Sequence, residues 1–355
     1  MSRVAVIAGD GIGKEVIPAG IDVVKKAAAA CGARVEFVEF PWGCDFYRAN
    51  GRMMDVDGFE RLQEFDAIYL GAIGDPAVPD HIAVWQLILP IRQRFDQYVN
   101  LRPMRLVSGA RTPLAGRAAA DIDMVCVREN SEGEYAGIGG RLHPGTPDDI
   151  AQQVSVMTRR GIERIARYGF ETAMKRPRRL LASATKSNAL QYTMVLWDEV
   201  LDLVAKDYPA VSWRKYHVDA LVARMVTDPG SIDVIVASNL FGDILTDLGA
   251  AVSGSLGIAP SGNINPERRH PSMFEPIHGS APDIAGKGIA NPIGAVWAGA
   301  LMLDHLGARD GHDLIVGAIE RVMAAGDGPR TPDLGGRAKT EDVTRALLQE
   351  LNVRV

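Results

Sequence analysis

The run SNLFGDILTDLG, residues 238–249, sets Asp243 and Asp247 four residues apart. On a helix that spacing puts both carboxylates on one face with Cβ atoms about 6 Å apart, where like charges repel. Ile244, Leu245 and Leu248 around them are apolar, so solvent is expected to screen the repulsion poorly. A cation turns that cost into a binding site, and two hard carboxylates suit Mg²⁺ or Mn²⁺. A plainer arrangement also fits, with Asp243 as a helix N-cap and Asp247 facing solvent. A third carboxylate, Asp219 in YHVDA, is flanked by apolar residues and could join the pair.

Three arginines stand at the ends of expected elements: Arg92 in PIRQR, Arg102 in NLRP and Arg128 in VREN. Arg102 precedes a proline and is thereby kept out of a helix interior. Arg128 closes an apolar run that reads as a buried strand, and open α/β sheets bind ligands beyond such strand ends. Three guanidiniums so placed suit bidentate capture of substrate carboxylates, though each alone also reads as a surface cation. Lys186 in SATKSN follows another apolar run, where burial beside cations would make it a useful base. Tyr135 in SEGEY is a candidate acid in a polar turn. Either residue alone also fits a structural role.

The stretch Gly9-Asp10-Gly11-Ile12-Gly13-Lys14 sits between an apolar run and a helical pattern, as a dinucleotide-binding turn does. The fingerprint G-x-G-x-x-G fails here, because the third glycine comes one residue early and Lys14 stands in its place. A plain tight turn accounts for it as well. No G-x-x-x-x-G-K-[ST], H-E-x-x-H or G-x-S-x-G occurs.

The elements that must position these residues alternate. Apolar runs predict strands over 4–8, 34–40, 67–70, 124–127, 180–183 and 234–237. Helical periodicity covers 15–30, 158–173, 189–206, 292–306 and 314–325. Such alternation predicts an α/β chain with a substantially parallel sheet. The glycine-rich segment 137–155, GIGGRLHPGTPDDIAQQVS, breaks the pattern and reads either as a disordered loop or as a hairpin arm packed on another subunit.

Composition removes several classes. Of 355 residues, 47% are hydrophobic and 23% charged, as in soluble globular domains, so a large core is expected and disorder is not. A net charge of −5 offers no basic surplus for nucleic acid or an anionic membrane. No apolar stretch reaches the roughly 18 residues of a membrane span. The apolar run at the start is too short for a signal peptide. Cys31, Cys44 and Cys126 are too scattered for a disulfide framework or a zinc site and suit buried thiols in a reducing cytoplasm.

Taken together, the motifs resemble the metal-dependent β-decarboxylating 2-hydroxyacid dehydrogenases, the family of isocitrate, 3-isopropylmalate, D-malate and tartrate dehydrogenases. The resemblance runs from GDGIGKEV through NLRP, VREN-SEGEY, TKSN, YHVDA and SNLFGDILTDLG to FEPIHGSAPDIAGKGIANP, nearly the whole chain. It implies an isopropylmalate-dehydrogenase-like fold, with two α/β domains around a central cleft and no Rossmann fingerprint. The cofactor-side domain would comprise 1–101 and 257–355, and the substrate and dimerisation domain 102–256. The arm near 137–155 would interlock a homodimer with shared active sites.

By resemblance, Arg92, Arg102 and Arg128 bind the substrate carboxylates. Asp243 and Asp247, with Asp219 of the partner subunit, hold Mg²⁺ or Mn²⁺, with room for a monovalent cation. Tyr135 and Lys186 of the partner subunit form the proton-transfer pair. NAD is expected along His278, Gly279, Ser280, Ala281, Pro282, Asp283 and Ile284. Asn291 would lie beside the adenine, Ile12 nearby, and Glu275 and Asn188 toward the nicotinamide.

In this family the helix before Arg92 contacts the substituent on the substrate's third carbon. Isocitrate enzymes carry Ser and Asn there and isopropylmalate enzymes Glu, Leu and Leu; this chain has Trp85, Ile88 and Leu89. The pattern most resembles the tartrate/D-malate branch. It implies NAD-dependent oxidation, with decarboxylation, of a small 2-hydroxy diacid, with 3-isopropylmalate as the alternative substrate. Trp85 lies about two helical turns before Arg92, so both face one cleft if the helix continues through Pro90. Pro90 departs from the family pattern and is expected to kink or restart that helix.

Overall fold

Continuous runs of Val, Ile and Leu form strands most readily where both faces of a sheet are covered. The structure, a computed structural model, describes residues 1–352. Its strands are β1 (Ser2–Gly9), β2 (Val35–Glu39), β3 (Ala67–Ala72), β4 (Val99–Arg105), β5 (Asp123–Glu129), β6 (Gly139–Leu142), β7 (Ile150–Gln153), β8 (Leu180–Thr185), β9 (Ser212–His217), β10 (Val234–Ala237), β11 (Pro260–Ile264) and β12 (Ser272–Pro276). One sheet of ten strands runs β2-β1-β3-β12-β11-β4-β5-β10-β8-β9.

The two ends of this sheet are parallel, but its middle is not. β11 is antiparallel to both β12 and β4, and β4 is antiparallel to β5. The expected substantially parallel sheet is present, with six of its nine strand pairings parallel, and the antiparallel centre is the addition. The sequence reading passed over β4, β9, β11 and β12. β4 and β11 carry Asn100, Arg102, Ser261 and Asn263, polar side chains that are buried all the same, so no apolar run announces them. β9, SWRKYH, is mostly exposed and carries the adjacent cations Arg214 and Lys215.

Helices cover the faces. Gly13–Ala30, Ile293–His305, Arg309–Ala324 and Thr340–Asn352 enclose a core that includes Val16, Val24, Val296, Ile319 and Leu347. At the other end, Arg159–Lys175 and Thr193–Val204 pack Ile165, Phe170 and Trp197 against Leu181 and Val236. Thr158 caps the first of these by accepting from the Gly161 N–H at 2.9 Å. The second starts at Thr193, later than periodicity predicts, because Ala189 and Leu190 turn back onto the Lys186 carbonyl. Among the described residues no helix is long and apolar enough to cross a membrane.

The segment 137–155 is ordered as a hairpin, not an open loop. β6 pairs antiparallel with β7, and every residue of both strands is exposed. Leu142 and Ile150 are among the exposed large hydrophobic residues, as are Ile138 and Val154 on either side of the hairpin.

The GDGIG turn has a local explanation. Gly9 and Gly11 adopt φ of 70° and 51°, and a Cβ on Gly11 would collide with the Ser280 carbonyl oxygen. The Ile12 N–H donates to that same oxygen at 2.9 Å. Asp10 locks the turn from inside by accepting from the N–H groups of Cys44, at 2.8 Å, and Gly74, at 3.0 Å. The glycine spacing therefore serves a turn pressed against the 278–284 loop. Gly11→Ala is expected to cost about 1–3 kcal/mol through clash and positive φ. An unchanged urea midpoint would contradict this account of the turn.

Candidate active site

Strand register builds the centre. β5 and β10 run parallel with Arg128 opposite Ala237, so the guanidinium at the end of β5 meets the helix Asn239–Val252 that follows β10. Arg128 Nε and Nη2 donate to Asn239 Oδ1 at 3.2 and 2.7 Å, and its Nη1 donates to Asp243 Oδ1. A Cβ on Gly242 would sit 2.5 Å from Arg128 Cγ, so the glycine clears the side chain's path. Arg102, on β4, donates through Nη1 to Thr246 Oγ1 at 2.7 Å and to Asp243 Oδ1 at 3.4 Å. The Tyr135 hydroxyl donates to Asp243 Oδ2 at 3.2 Å.

Asp243 lies inside the helix and Ser238 occupies the N-cap position, which removes the N-cap reading of Asp243. Asp247, one turn on, and Ile244 are exposed, so water reaches this face more than the apolar neighbours suggest. Burial pushes the Asp243 carboxyl up, but Arg128, Arg102 and Arg92 outweigh it and the net direction is down. Asp247 moves the opposite way, raised by partial burial and by the Asp243 charge against the pull of the arginines. Burial, followed by repulsion from Arg102, lowers Arg128 to about 10. Burial and then Asp243 raise Tyr135.

Arg92, Arg102 and Arg128 are 8%, 7% and 2% exposed. Arg92 Nη2 donates to Glu275 Oε1 at 2.8 Å. The buried Nε atoms of Arg92 and Arg102 have no partner, and each is a donor suited to a carboxylate. Gln93 ties this helix to the Tyr135 loop, donating to the Tyr135 carbonyl at 3.2 Å.

The helix before Arg92 is not continuous. A π-wound turn, Val84–Ile88, precedes the α-helix Leu89–Arg94, with Pro90 in the first turn of the latter. Proline lacks an N–H and crowds the carbonyl four residues back, and the wider turn relieves both. The simple two-turn relation between Trp85 and Arg92 is therefore corrected. Trp85 is partly exposed, its ring against Gly137 just beyond Tyr135. Ile88 packs on a core cluster containing Ile91 and Phe95, and Leu89 is buried; of the three, Trp85 reaches the Tyr135 segment.

Lys186 and Asp219 are brought together elsewhere. β8 and β9 are parallel with Thr185 opposite His217, so the residues beyond their ends meet, and Lys186 Nζ lies 2.8 Å from Asp219 Oδ1. The hydrogen bond from Lys186 lowers the Asp219 carboxyl. Among the described residues no three His, Cys, Asp or Glu side chains are grouped to hold a metal ion. One chain thus gathers the arginines, Asp243 and Tyr135, and presents Lys186 with Asp219 as a separate pair.

A cleft of about 880 Å³ is lined by Ile12, His278, Ala281, Ile284 and Asn291 among others. His278 Nε2 is buried without a partner, and burial lowers the imidazole's pKa. Asn291 Nδ2 donates to Asp333 Oδ2 at 3.0 Å. Gly279, Ser280, Pro282 and Asp283 belong to the same loop but do not line the cleft; Asp283 is exposed, as is Asn188. The sequence reading missed Asp333, Ser255 and Arg111-Thr112-Pro113 on the cleft wall. The Thr-Pro pairs at 112–113 and 331–332 were the available signal for loops there.

Other motif residues hold the frame. Glu15 accepts from the N–H groups of Gly286 at 2.6 Å and Gly288 at 3.0 Å, and Glu132 accepts from Thr158 N–H and Oγ1 at the base of the hairpin.

A model of isocitrate/isopropylmalate dehydrogenase matches residues 3–347, and the chain belongs to that family of oxidoreductases. It is 54% identical over 352 residues to the D-malate dehydrogenase (decarboxylating) of Escherichia coli strain K12, covering 97% of each chain. With the tartrate dehydrogenase/decarboxylase of Pseudomonas putida it shares 52% identity over 357 residues, covering 98% of this chain and 97% of the other. The crystal structure of isocitrate dehydrogenase from Methylococcus capsulatus matches with a TM-score of 0.88 at 33% identity, covering 100% of both chains. Members of the family act on small hydroxy acids and generally use NAD and a divalent metal.

The two helix aspartates are expected to separate experimentally. Asp243→Asn deprives two buried guanidiniums of their counter-charge and is expected to cost about 1–3 kcal/mol of stability. Asp247→Asn, at an exposed position, should stay within about 0.5 kcal/mol. Urea midpoints measure both, and equal losses would refute the distinct placement.

Proposed function

We propose that this enzyme oxidises a small 2-hydroxy diacid, D-malate or a tartrate isomer, using NAD⁺ and Mg²⁺ or Mn²⁺, and that the product loses CO₂. The observation that carries the reading is the cluster of three buried arginines and Tyr135 around Asp243, with unpartnered guanidinium N–H groups. The names of the relatives support the substrate class.

The donor sets fit both cofactors. Asp243 and Asp247 supply hard oxygen ligands on one helix, and Asp219 of the partner subunit would complete the set. When bound, the divalent ion would polarise the hydroxyl and later the keto oxygen, and NAD⁺ would accept the hydride. NAD fits the cleft bounded by Ile12, His278, Ala281, Ile284 and Asn291, with Glu275 toward its reactive end.

The chain's own residues do the rest. Arg92, Arg102 and Arg128 clamp the two carboxylates, so Arg128 must exchange Asp243 for substrate. Lys186 of the partner subunit takes the hydroxyl proton. Tyr135 delivers a proton to the third carbon after CO₂ leaves. Trp85, against Gly137, narrows the space a branched substituent would need. We assign the cofactor side to 1–101 and 257–355 and the substrate side to 102–256, with the exposed hairpin packing on a second copy. The free thiols of Cys31, Cys44 and Cys126 suit a reducing cytoplasm.

An NADH-absorbance screen tests this with D-malate, L-tartrate, meso-tartrate and 3-isopropylmalate, each with Mg²⁺, Mn²⁺ or EDTA. A small diacid is expected to exceed 3-isopropylmalate by at least about tenfold in kcat/KM, and Trp85→Ala to narrow that gap. EDTA should abolish turnover, and NAD⁺ should be preferred to NADP⁺ because the Asp283 charge opposes a 2′-phosphate. Full activity in exhaustively chelated enzyme, or faster turnover of 3-isopropylmalate, would overturn the proposal.

A further inference from the structure

The four strands at the middle of the sheet, β5, β4, β11 and β12, bury a continuous polar chain. Asn263 Oδ1 accepts from Asn100 Nδ2 at 2.8 Å and from Asn130 Nδ2 at 2.9 Å. Asn263 Nδ2 donates to Glu275 Oε1 at 2.7 Å and to the Met273 carbonyl at 3.3 Å. Glu275 Oε1 also receives Arg92 Nη2. Asn100, Asn130, Asn263, Glu275 and Arg92 are all buried, and both donors and both lone pairs of the Asn263 amide are used.

The polarity of this chain is set by groups that only accept: the Glu275 carboxylate and the Met273 carbonyl at Asn263, and the Gln97 carbonyl at Asn130. A carboxylate paired with a guanidinium only accepts. Glu275, with the Met273 carbonyl, thus takes the NH₂ group of Asn263, which turns Oδ1 toward Asn100 and Asn130 as an acceptor for both. A buried amide in mid-strand forgoes the burial gain of an apolar residue, yet here it gives Glu275 a second fixed donor from a direction Arg92 does not occupy.

We infer that Asn263 is a positioning residue for the substrate site: its carboxamide fixes the Glu275 carboxylate, which in turn holds the Arg92 guanidinium where a substrate carboxylate is received. The inference rests on the assignment of Arg92 to substrate binding. Glu275 then sets where Arg92 sits, and Asn263 sets where Glu275 sits. Asn263 itself is fully buried, its amide spent on protein partners, so it acts through Glu275.

Asn263→Asp is the direct test, because it keeps the shape and replaces the donor facing Glu275 with a second carboxylate. KM for D-malate is expected to rise about 10- to 100-fold, with kcat changed much less. Adding Glu275→Gln supplies an N–H to the new carboxylate, so the double variant should have a lower KM than Asn263→Asp alone, referenced to Glu275→Gln alone. A lower urea midpoint with unchanged KM, or no recovery in the double variant, would overturn the inference and leave Asn263 as ordinary core. Asn263→Ala adds no charge and carries the same KM test if the aspartate variant does not fold. Arg92→Lys separates the two levels. Unchanged KM in that variant refutes the Arg92 assignment; raised KM there, with Asn263→Asp and Asn263→Ala both unaffected, refutes only the role of Asn263.

Discussion

Three guanidiniums buried near one another repel and are costly to desolvate, and the architecture around them is arranged to offset that cost. Asp243 pairs with both Arg128 and Arg102, and Glu275 with Arg92, which leaves the three guanidiniums one positive charge in excess of these two carboxylates. Sheet register makes both pairings possible. The parallel pairing of β5 with β10 sets Arg128 against the helix that carries Asp243, and antiparallel β4 delivers Arg102 from the other side. The polar residues in β4 and β11 that weaken these segments as strands are the ones that satisfy the centre. In the proposed reaction an arriving dicarboxylate would find cations already placed and desolvated, and its binding would exchange one set of charge partners for another.

The spacing of Asp243 and Asp247 and the place of Arg128 near a strand end were legible in the sequence, because both are local properties; Arg102 instead lies in the middle of β4 and Arg92 in the helix Leu89–Arg94. Whether Asp243 caps the helix was not legible; Ser238 takes the cap position instead. The middle of the sheet was hidden for a physical reason. Asn100, Ser261 and Asn263 are buried by pairing with one another, which hydrophobic patterning cannot anticipate. The winding change at Val84–Ile88 was half visible, since Pro90 signalled a disturbance but not its form. The GDGIG spacing was recognised as a poor dinucleotide fingerprint, and its cause, contact with the Ser280 carbonyl, lies 269 residues away.

What one chain leaves apart is as informative as what it assembles. Lys186 and Asp219 pair with each other at the ends of β8 and β9, while Tyr135 and Asp243 pair at the end of β5. The proposed function joins these two pairs through a second copy, for which the exposed hairpin β6–β7 would offer a surface. A two-stranded hairpin of this length is marginal alone, which fits a segment completed by association. The proposed function thus makes one central claim, that the active site is shared between two copies.

Mixing two inactive variants measures that claim most directly. Lys186→Met and Tyr135→Phe are each inactive in this account, and in a mixed dimer one site receives Tyr135 from the first chain and Lys186 from the second. Unfolding and refolding equal amounts together should yield about half mixed dimers, each with one intact site of two, so about a quarter of native NADH production from D-malate should return. Activity no greater than the sum of the separately refolded variants, with mixed dimers demonstrated, would show that each chain supplies its own Lys186 and would contradict the account.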